Sequence, residues 1–525
     1  RFERPAARER LDQFIAAREA WRAAQRAHTE SLTPDIEQTQ RSATSAADRD
    51  QLEQAHAAFV RARDAIRQHD DPEFLSPARS IVDISRAVRA PGEALVYLIA
   101  DNATGYAFVL TRDNAGKEQI RRVDLPDLTT DAVNALLLGL GNANQFPSDG
   151  LLYAQMGWAA FYLPSWGTTP RAALHALPGT SEFALALRQT LDTLSDKSMA
   201  DIPFTGMTAV ERAVLDAHFV NNLLNLELQR ALETLGDLGL TTMAHDLHQM
   251  GIHALAIVPY GRLAMLPLPG VLIGQAQRLG EIFDITLTPA ARTLEVARDR
   301  MQALDATHQT ILAAGNPWPL AWDGGNLAYA EAEADTIKRT AERYQLSRPV
   351  LKYTRDQVSR DHVLAGLNHA WYAHLALHGS FDPTNPRRSR IILRGTAEMP
   401  ENERVITLQE CLDGTIDLKG MRLLVLSACE TAVIQADQSA NEMIGLAPAF
   451  AQAGAEAVIA ALWPVNDHAT YLLMARFANL FLDPRRDWSP SRCLAQAQRW
   501  LREEATNALL ASNDFDPTAP IPLPA

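Results

Sequence analysis

Cysteine is scarce in this chain, with only Cys411, Cys429 and Cys493 among 525 residues. So sparse and odd a set is no disulfide framework, and a reducing cytoplasm is the expected compartment. Positive charge is also short, with 49 Lys+Arg against 63 Asp+Glu and a net charge of -14. No dense basic block is present to track phosphates, so direct contact with nucleic acid is not expected. Apolar runs such as Ala457 to Val465 fall short of the roughly 20 residues a membrane-spanning helix needs, so no membrane association is expected. Gly324-Gly325 stands alone, without the spacing of a dinucleotide or Walker loop, and no cofactor is expected. The chain opens on Arg1 rather than Met, which leaves room for a preceding segment or targeting signal.

What is present is ample apolar content, 47%, enough for several cores. Residues 1–78 are expected to form a helical hairpin from Leu11–Ala27 and Asp48–Gln68, joined by the polar stretch Thr33–Ala46. The hairpin reads as a packing or docking unit, or as the end of a helical repeat region. Residues 79–305 mix strands, at Ala94–Ala100, Tyr106–Thr111, Ile120–Val123 and Ala254–Pro259, with helices between Thr130 and Leu138 and between Ala209 and Leu235. The stretch Ala256–Pro267 holds no Ser, Cys, His or acid, so this part reads as scaffold. Residues 306–507 alternate strand and helix, the signature of a parallel sheet with helices on both faces. The expected strands are Thr310–Ala314, Val350–Tyr353, Tyr372–Leu377, Arg422–Ser427 and Ala457–Leu462, and a Pro-rich tail occupies 508–525.

In open parallel sheets, sites gather where loops leave the carboxyl ends of strands. Two such ends carry reactive side chains: His374 to Gly379 after the third strand, and Ser427-Ala428-Cys429-Glu430-Thr431 after the fourth. A free thiol is mostly protonated at neutral pH, so an imidazole that takes its proton makes the nucleophile. That assigns Cys429 as nucleophile and His378 as base. Gly379, lacking a side chain, lets its N–H approach a substrate oxygen, and with the N–H of Cys429 it forms a candidate oxyanion hole. The bland alternatives are a Cys buried as a small hydrophobe and a His-Gly pair with no chemistry. His374 shares a strand face with His378 if alternation holds, as a packing residue or one touching the catalytic His. The two histidines lack a third ligand, and no metal is expected.

These residues resemble the CHAT domain, a caspase-like peptidase family. The resemblance rests on His374 to Gly379, on Ser427 to Thr431, and on Ala453-Gly454-Ala455 with Leu462-Trp463-Pro464-Val465. Lesser echoes run from Ala94 to Leu501, so it covers about residues 80 to 507. It implies an α/β fold, a caspase-like parallel-sheet sandwich with helices on both faces, preceded by a pseudo-caspase α/β subdomain and the helical hairpin. It implies a Cys-His dyad of His378 and Cys429, and endopeptidase cleavage of a protein substrate, such as a gasdermin-like or other neighbouring gene product. Triggering by a partner or ligand in bacterial defence or regulation is implied as well, with a regulatory protein partner expected. Candidates for the S1 pocket or its surroundings are His374, Asp382, Glu430, Glu442, Trp463 and Asp467, with Glu430 alternatively a capping acid and Asp467 an N-cap. The competing reading is a catalytically silent CHAT adaptor that acts by protein binding.

Overall fold

The computed structural model describes residues 4–31, 38–70, 84–138, 228–274, 277–302, 309–321, 326–380, 386–427, 445–462, 465 and 467–505. The chain divides into two compact units, Arg1–Ile84 and Ser85–Ala525. In the first, helices α1 (Pro5–Ser31) and α2 (Gln38–His69) run antiparallel. Phe14 and Trp21 of α1, one heptad apart on one face, pack on Phe59 at ring separations of 5.3 and 4.7 Å. Arg10 clasps Asp70 with two hydrogen bonds, at 2.6 and 2.7 Å, at the open end of the pair. Helix α2 begins at Gln38, inside the stretch expected to be loop. Gln, Arg and Ala favour helix, and polarity does not oppose a helix whose surface meets water.

The second unit opens with strands β1 (Glu93–Ile99), β2 (Gly105–Arg112) and β3 (Glu118–Leu125), then α3 (Thr130–Leu138) and α4 (Thr241–Gln249). There follow β4 (Ala254–Pro259), the short pair β5 (Leu272–Ile273) and β6 (Gln277–Arg278), α5 (Leu279–Ile282), β7 (Asp284–Leu287) and α6 (Ala291–Gln302). They form a mixed sheet of order β3-β2-β1-β4-β7, antiparallel on the β3 side and parallel from β1 to β7. Strand β4 is apolar because it lies in the middle of this sheet, with Leu255 and Ile257 buried in the core.

The second half supplies β8 (Thr310–Pro317), α7 (Ala328–Arg343), β9 (Val350–Arg355), α8 (Arg360–Leu367) and β10 (Ala370–Ala376). Three short strands come next, β11 (His378–Ser380), β12 (Arg390–Ile392) and β13 (Val405–Thr407). The remainder is α9 (Leu408–Leu412), β14 (Leu423–Leu426), α10 (Leu446–Ala453), β15 (Val458–Ala460), α11 (Asp467–Phe481) and α12 (Pro490–Trp500). The main sheet is all parallel, in the order β15-β14-β10-β8-β9. The chain turns back once, after β9, and β10 lies on the other side of β8, so the order reverses between β8 and β10, where a doubly wound sheet opens a crevice.

Side chains alternate across this sheet. Leu312, Ala373, Leu375, Leu424 and Leu426 enter the core beneath α8, α9 and α10. Ile311, Tyr372, Leu423 and Val425 enter the opposite core, with Ala334 and Ile337 of α7 and Phe477 of α11. Helix α7 sits so close to β8 that a Cβ on Gly315 would lie 2.3 Å from the carbonyl oxygen of Ala330, so only glycine fits there. Among the described residues no helix is long and apolar enough to cross a membrane.

Candidate active site

The carboxyl ends of β10, β14 and β15 lie side by side in the main sheet. Strands β10 and β14 pair from Tyr372↔Leu423 through His374↔Val425 to Leu375↔Leu426. Beyond Ala376 the chain leaves the main sheet, and His378 opens β11, the edge of a separate antiparallel sheet of order β11-β12-β13. His378 pairs with Ile392 and Gly379 with Ile391, whose side chain is fully buried. The backbone that carries the candidate base and oxyanion donor is therefore laddered to a neighbour rather than hung on a free loop. Both residues are half-buried. The break at Leu377 also means that the alternation expected to put His374 and His378 on one strand face does not run through to His378.

His374 lies in the core. Its Nε2 is 2.5 Å from Glu333 Oε2, its Nδ1 is 3.1 Å from the hydroxyl of Tyr372, and neither His374 nor Glu333 is more than 2% exposed. The other oxygen of Glu333 accepts from Ser427 Oγ at 3.3 Å. Burial, with the nearby carboxylate of Glu333, pushes the Tyr372 hydroxyl well above its ordinary pKa, so it stays protonated.

Asp467, the first residue of α11, accepts the backbone N–H of Tyr329 at 3.1 Å. Tyr329 is the second residue of α7, and Leu327 at the head of that helix offers no side-chain cap. Asp467 therefore caps the helix packed beside its own. Burial raises its pKa, opposed by the Tyr329 N–H and by the charges of His378 and His468, which puts its carboxylate within electrostatic reach of His378. At the other edge of the same helix start, Asn316 accepts from the N–H of Leu327 at 3.0 Å and donates to Asn326 at 2.8 Å and Glu331 at 2.6 Å.

Cys429, Asp382, Glu430, Glu442 and Trp463 lie outside the described residues. The other two cysteines are buried, and burial pushes both thiols up to about 12, so neither is a nucleophile at neutral pH. A cavity of about 1890 Å³ between the edge strands β7 and β15 reaches Ser427, Leu462 and Val465, at the carboxyl ends of β14 and β15. No group of three His, Cys, Asp or Glu among the described residues is arranged to hold a metal ion.

Sequence reasoning missed Glu333, and it took Ser427 only as part of the Ser427-to-Thr431 block, without a role. A signal for Glu333 exists: it falls on the apolar stripe Ala330, Ala334, Ile337, Ala341 of α7, three residues after the first and four before Ile337. An acid on a buried stripe needs a partner inside the core.

A parallel sheet wound on both faces, with His378 and Gly379 opening a small second sheet just beyond its middle strand, defines a doubly wound α/β fold. The chain belongs to the CHAT domain family, whose model matches residues 229–517. The match takes up later than residue 80, where the resemblance read from the sequence began, and runs into the Pro-rich tail. Among solved structures, the chain is similar to the complex of Porphyromonas gingivalis RgpB pro- and mature domains, at 10% identity and a TM-score of 0.34, covering 53% of this chain and 64% of that one. It is also similar to the Arg specific cysteine proteinase gingipain R (RGPB), at 11% identity and a TM-score of 0.34, covering 52% and 63%. The chain thus spans under two thirds of either structure. No curated protein matches it.

Proposed function

We propose that this chain is a cysteine endopeptidase in which Cys429 is the nucleophile and His378 its base. The observation that carries this reading is the pairing of β10 with β14. Their last paired residues are Leu375 and Leu426, and His378 and Cys429 each follow three residues on in the sequence. This equal spacing from two adjacent strand ends supports pairing His378 with Cys429.

The chemistry then runs in two halves. His378 takes the proton of the Cys429 thiol, and the sulfur adds to the scissile carbonyl carbon while the N–H groups of Gly379 and Cys429 donate to the developing oxyanion. As the C–N bond breaks, His378 returns that proton to the leaving amine. Water, deprotonated by His378, cleaves the thioester, which frees the new carboxylate and restores the thiol. The substrate is a protein, and a regulatory partner that reorders the loops around Cys429 provides the trigger, in a cytoplasmic role in bacterial defence or regulation.

The test is to incubate wild-type protein and Cys429→Ala separately with neighbouring gene products and a cell lysate, then map new amino termini by mass spectrometry. New termini are expected with wild type alone, and the residue before each gives the preferred P1 side chain. Identical termini with both proteins overturn the assignment, and biological activity that survives in Cys429→Ala turns the reading to an adaptor.

A further inference from the structure

We infer that Glu333 is the positioning residue of this active site: its buried carboxylate ties the strand that leads to His378 to the strand that leads to Cys429. The inference rests on the Cys-His reading above and deepens it. A lone carboxylate in a core is costly, and it is tolerated only when donors saturate it. Here donors reach both oxygens: His374 donates Nε2–H to Oε2 of Glu333 and Ser427 donates its O–H to Oε1, while the Tyr372 hydroxyl holds His374 Nδ1 from the other side.

The position of these groups argues for more than packing. Apolar residues of the same volume would fill this space at no loss of stability, and often with a gain. What the polar chain supplies is direction at two adjacent strand ends. His374 stands four residues before His378, and Ser427 two before Cys429. Both are held by the two oxygens of one side chain. Helix α7, which carries that side chain, is itself fixed at its start by Asn316 and by Asp467, so Glu333 is set by contacts outside the pair it bridges. Reacting groups displaced by about 1 Å lose rate steeply, on the order of a hundredfold, so a tie of this kind has a catalytic consequence.

The test uses the full chain and iodoacetamide, with the alkylated residue identified by peptide mass. Cys411 and Cys493, buried with thiols near 12, stay unmodified in the folded protein and serve as internal controls. In Glu333→Gln the amide oxygen still accepts from His374, but the NH₂ can only donate to the Ser427 oxygen, and both bonds lose the carboxylate charge that strengthened them, so the tie loosens. The expected result is alkylation of Cys429 slowed about tenfold at neutral pH, with its pH midpoint moved upward. On a peptide spanning the mapped cleavage site, kcat falls by a similar factor while KM changes less than about twofold. Ser427→Ala moves the same readouts in the same direction, Ser427→Thr restores them, and Ser427→Ala adds little in the Glu333→Gln background. Thermal melting establishes that each variant is folded; if Glu333→Gln is not, the Ser427 pair carries the test. Folded variants with wild-type alkylation and kcat overturn the positioning role. Cleavage that persists in Cys429→Ala, or wild-type Cys429 alkylated no faster than in His378→Ala, rejects the dyad itself instead.

Discussion

His378 and Cys429 act as one unit in the proposed reaction, because neither an unactivated thiol nor a base without a nucleophile does the chemistry. His378→Ala and Cys429→Ala are each expected to abolish cleavage, on the order of a thousandfold or more, with little further loss in the double variant. A steady-state assay on the mapped substrate checks this, and substantial turnover in the His variant would remove His378 from its role. His374→Ala is expected to cost less activity than His378→Ala in the same assay, since His374 lies in the core against Glu333 and Tyr372. The reverse order means that the wrong histidine has been named the base. His378 and Cys429 were nominated from the sequence because reactive side chains at the ends of apolar runs are few. The tie through Glu333 was not legible, since nothing in the residues around it names Ser427, 94 residues further on, as its partner.

At the scale of elements, the site is made by where strands stop and where one helix starts. Strand β10 ends at Ala376 and β11 begins at His378, so the candidate base belongs to a small antiparallel sheet beside the main one. The start of α7 is fixed by side chains from two other segments, Asn316 near the end of β8 and Asp467 at the head of α11. Asn316 is 1% exposed and sits at a positive φ of 55°, a backbone conformation that Asn tolerates better than most residues. Asn316→Ala leaves the N–H of Leu327 and the carboxylate of Glu331 each short of a partner. It is expected to cost about 1–3 kcal/mol, read as a lowered urea midpoint at unchanged m-value. A wild-type midpoint would show that water replaces the side chain without loss. The main-sheet strands β8, β9, β10, β14 and β15 were visible in the sequence as short apolar runs, because a buried parallel strand is apolar on both faces. Strands β11 to β13 were not, since each has only three residues and three residues carry no period.

At the scale of the whole second unit, two sheets present their parallel edges, β7 and β15, to a common cavity. Glu456, just before β15, lines that cavity with its side chain shielded from solvent and, among the described residues, both oxygens without a hydrogen-bond partner; the nearest guanidinium nitrogen of Arg422 is 3.9 Å away. Burial pushes its pKa up to about 7, against the pull of Arg422 and Arg300. The folded protein therefore holds a proton that the unfolded chain has released between pH 4.5 and about 7. Stability from this group is complete below the lower value and lost as pH rises through the upper one. The melting temperature of wild type is expected to fall across that window relative to Glu456→Gln, and the two curves to run parallel above it. Parallel curves throughout would mean that Glu456 ionises freely in the folded state.

Residue order alone was enough to read the α/β alternation of the second half and the CHAT family, and to nominate the strand ends before His378 and Cys429. All of these are written in local runs of residue type. Only the tertiary structure decided that His378 opens a second sheet, that Asp467 caps a helix from another part of the chain, and that Glu333 joins His374 to Ser427. Those contacts depend on which elements lie side by side. Strand pairing and helix packing settle that through long-range burial, which no stretch of neighbouring residues encodes.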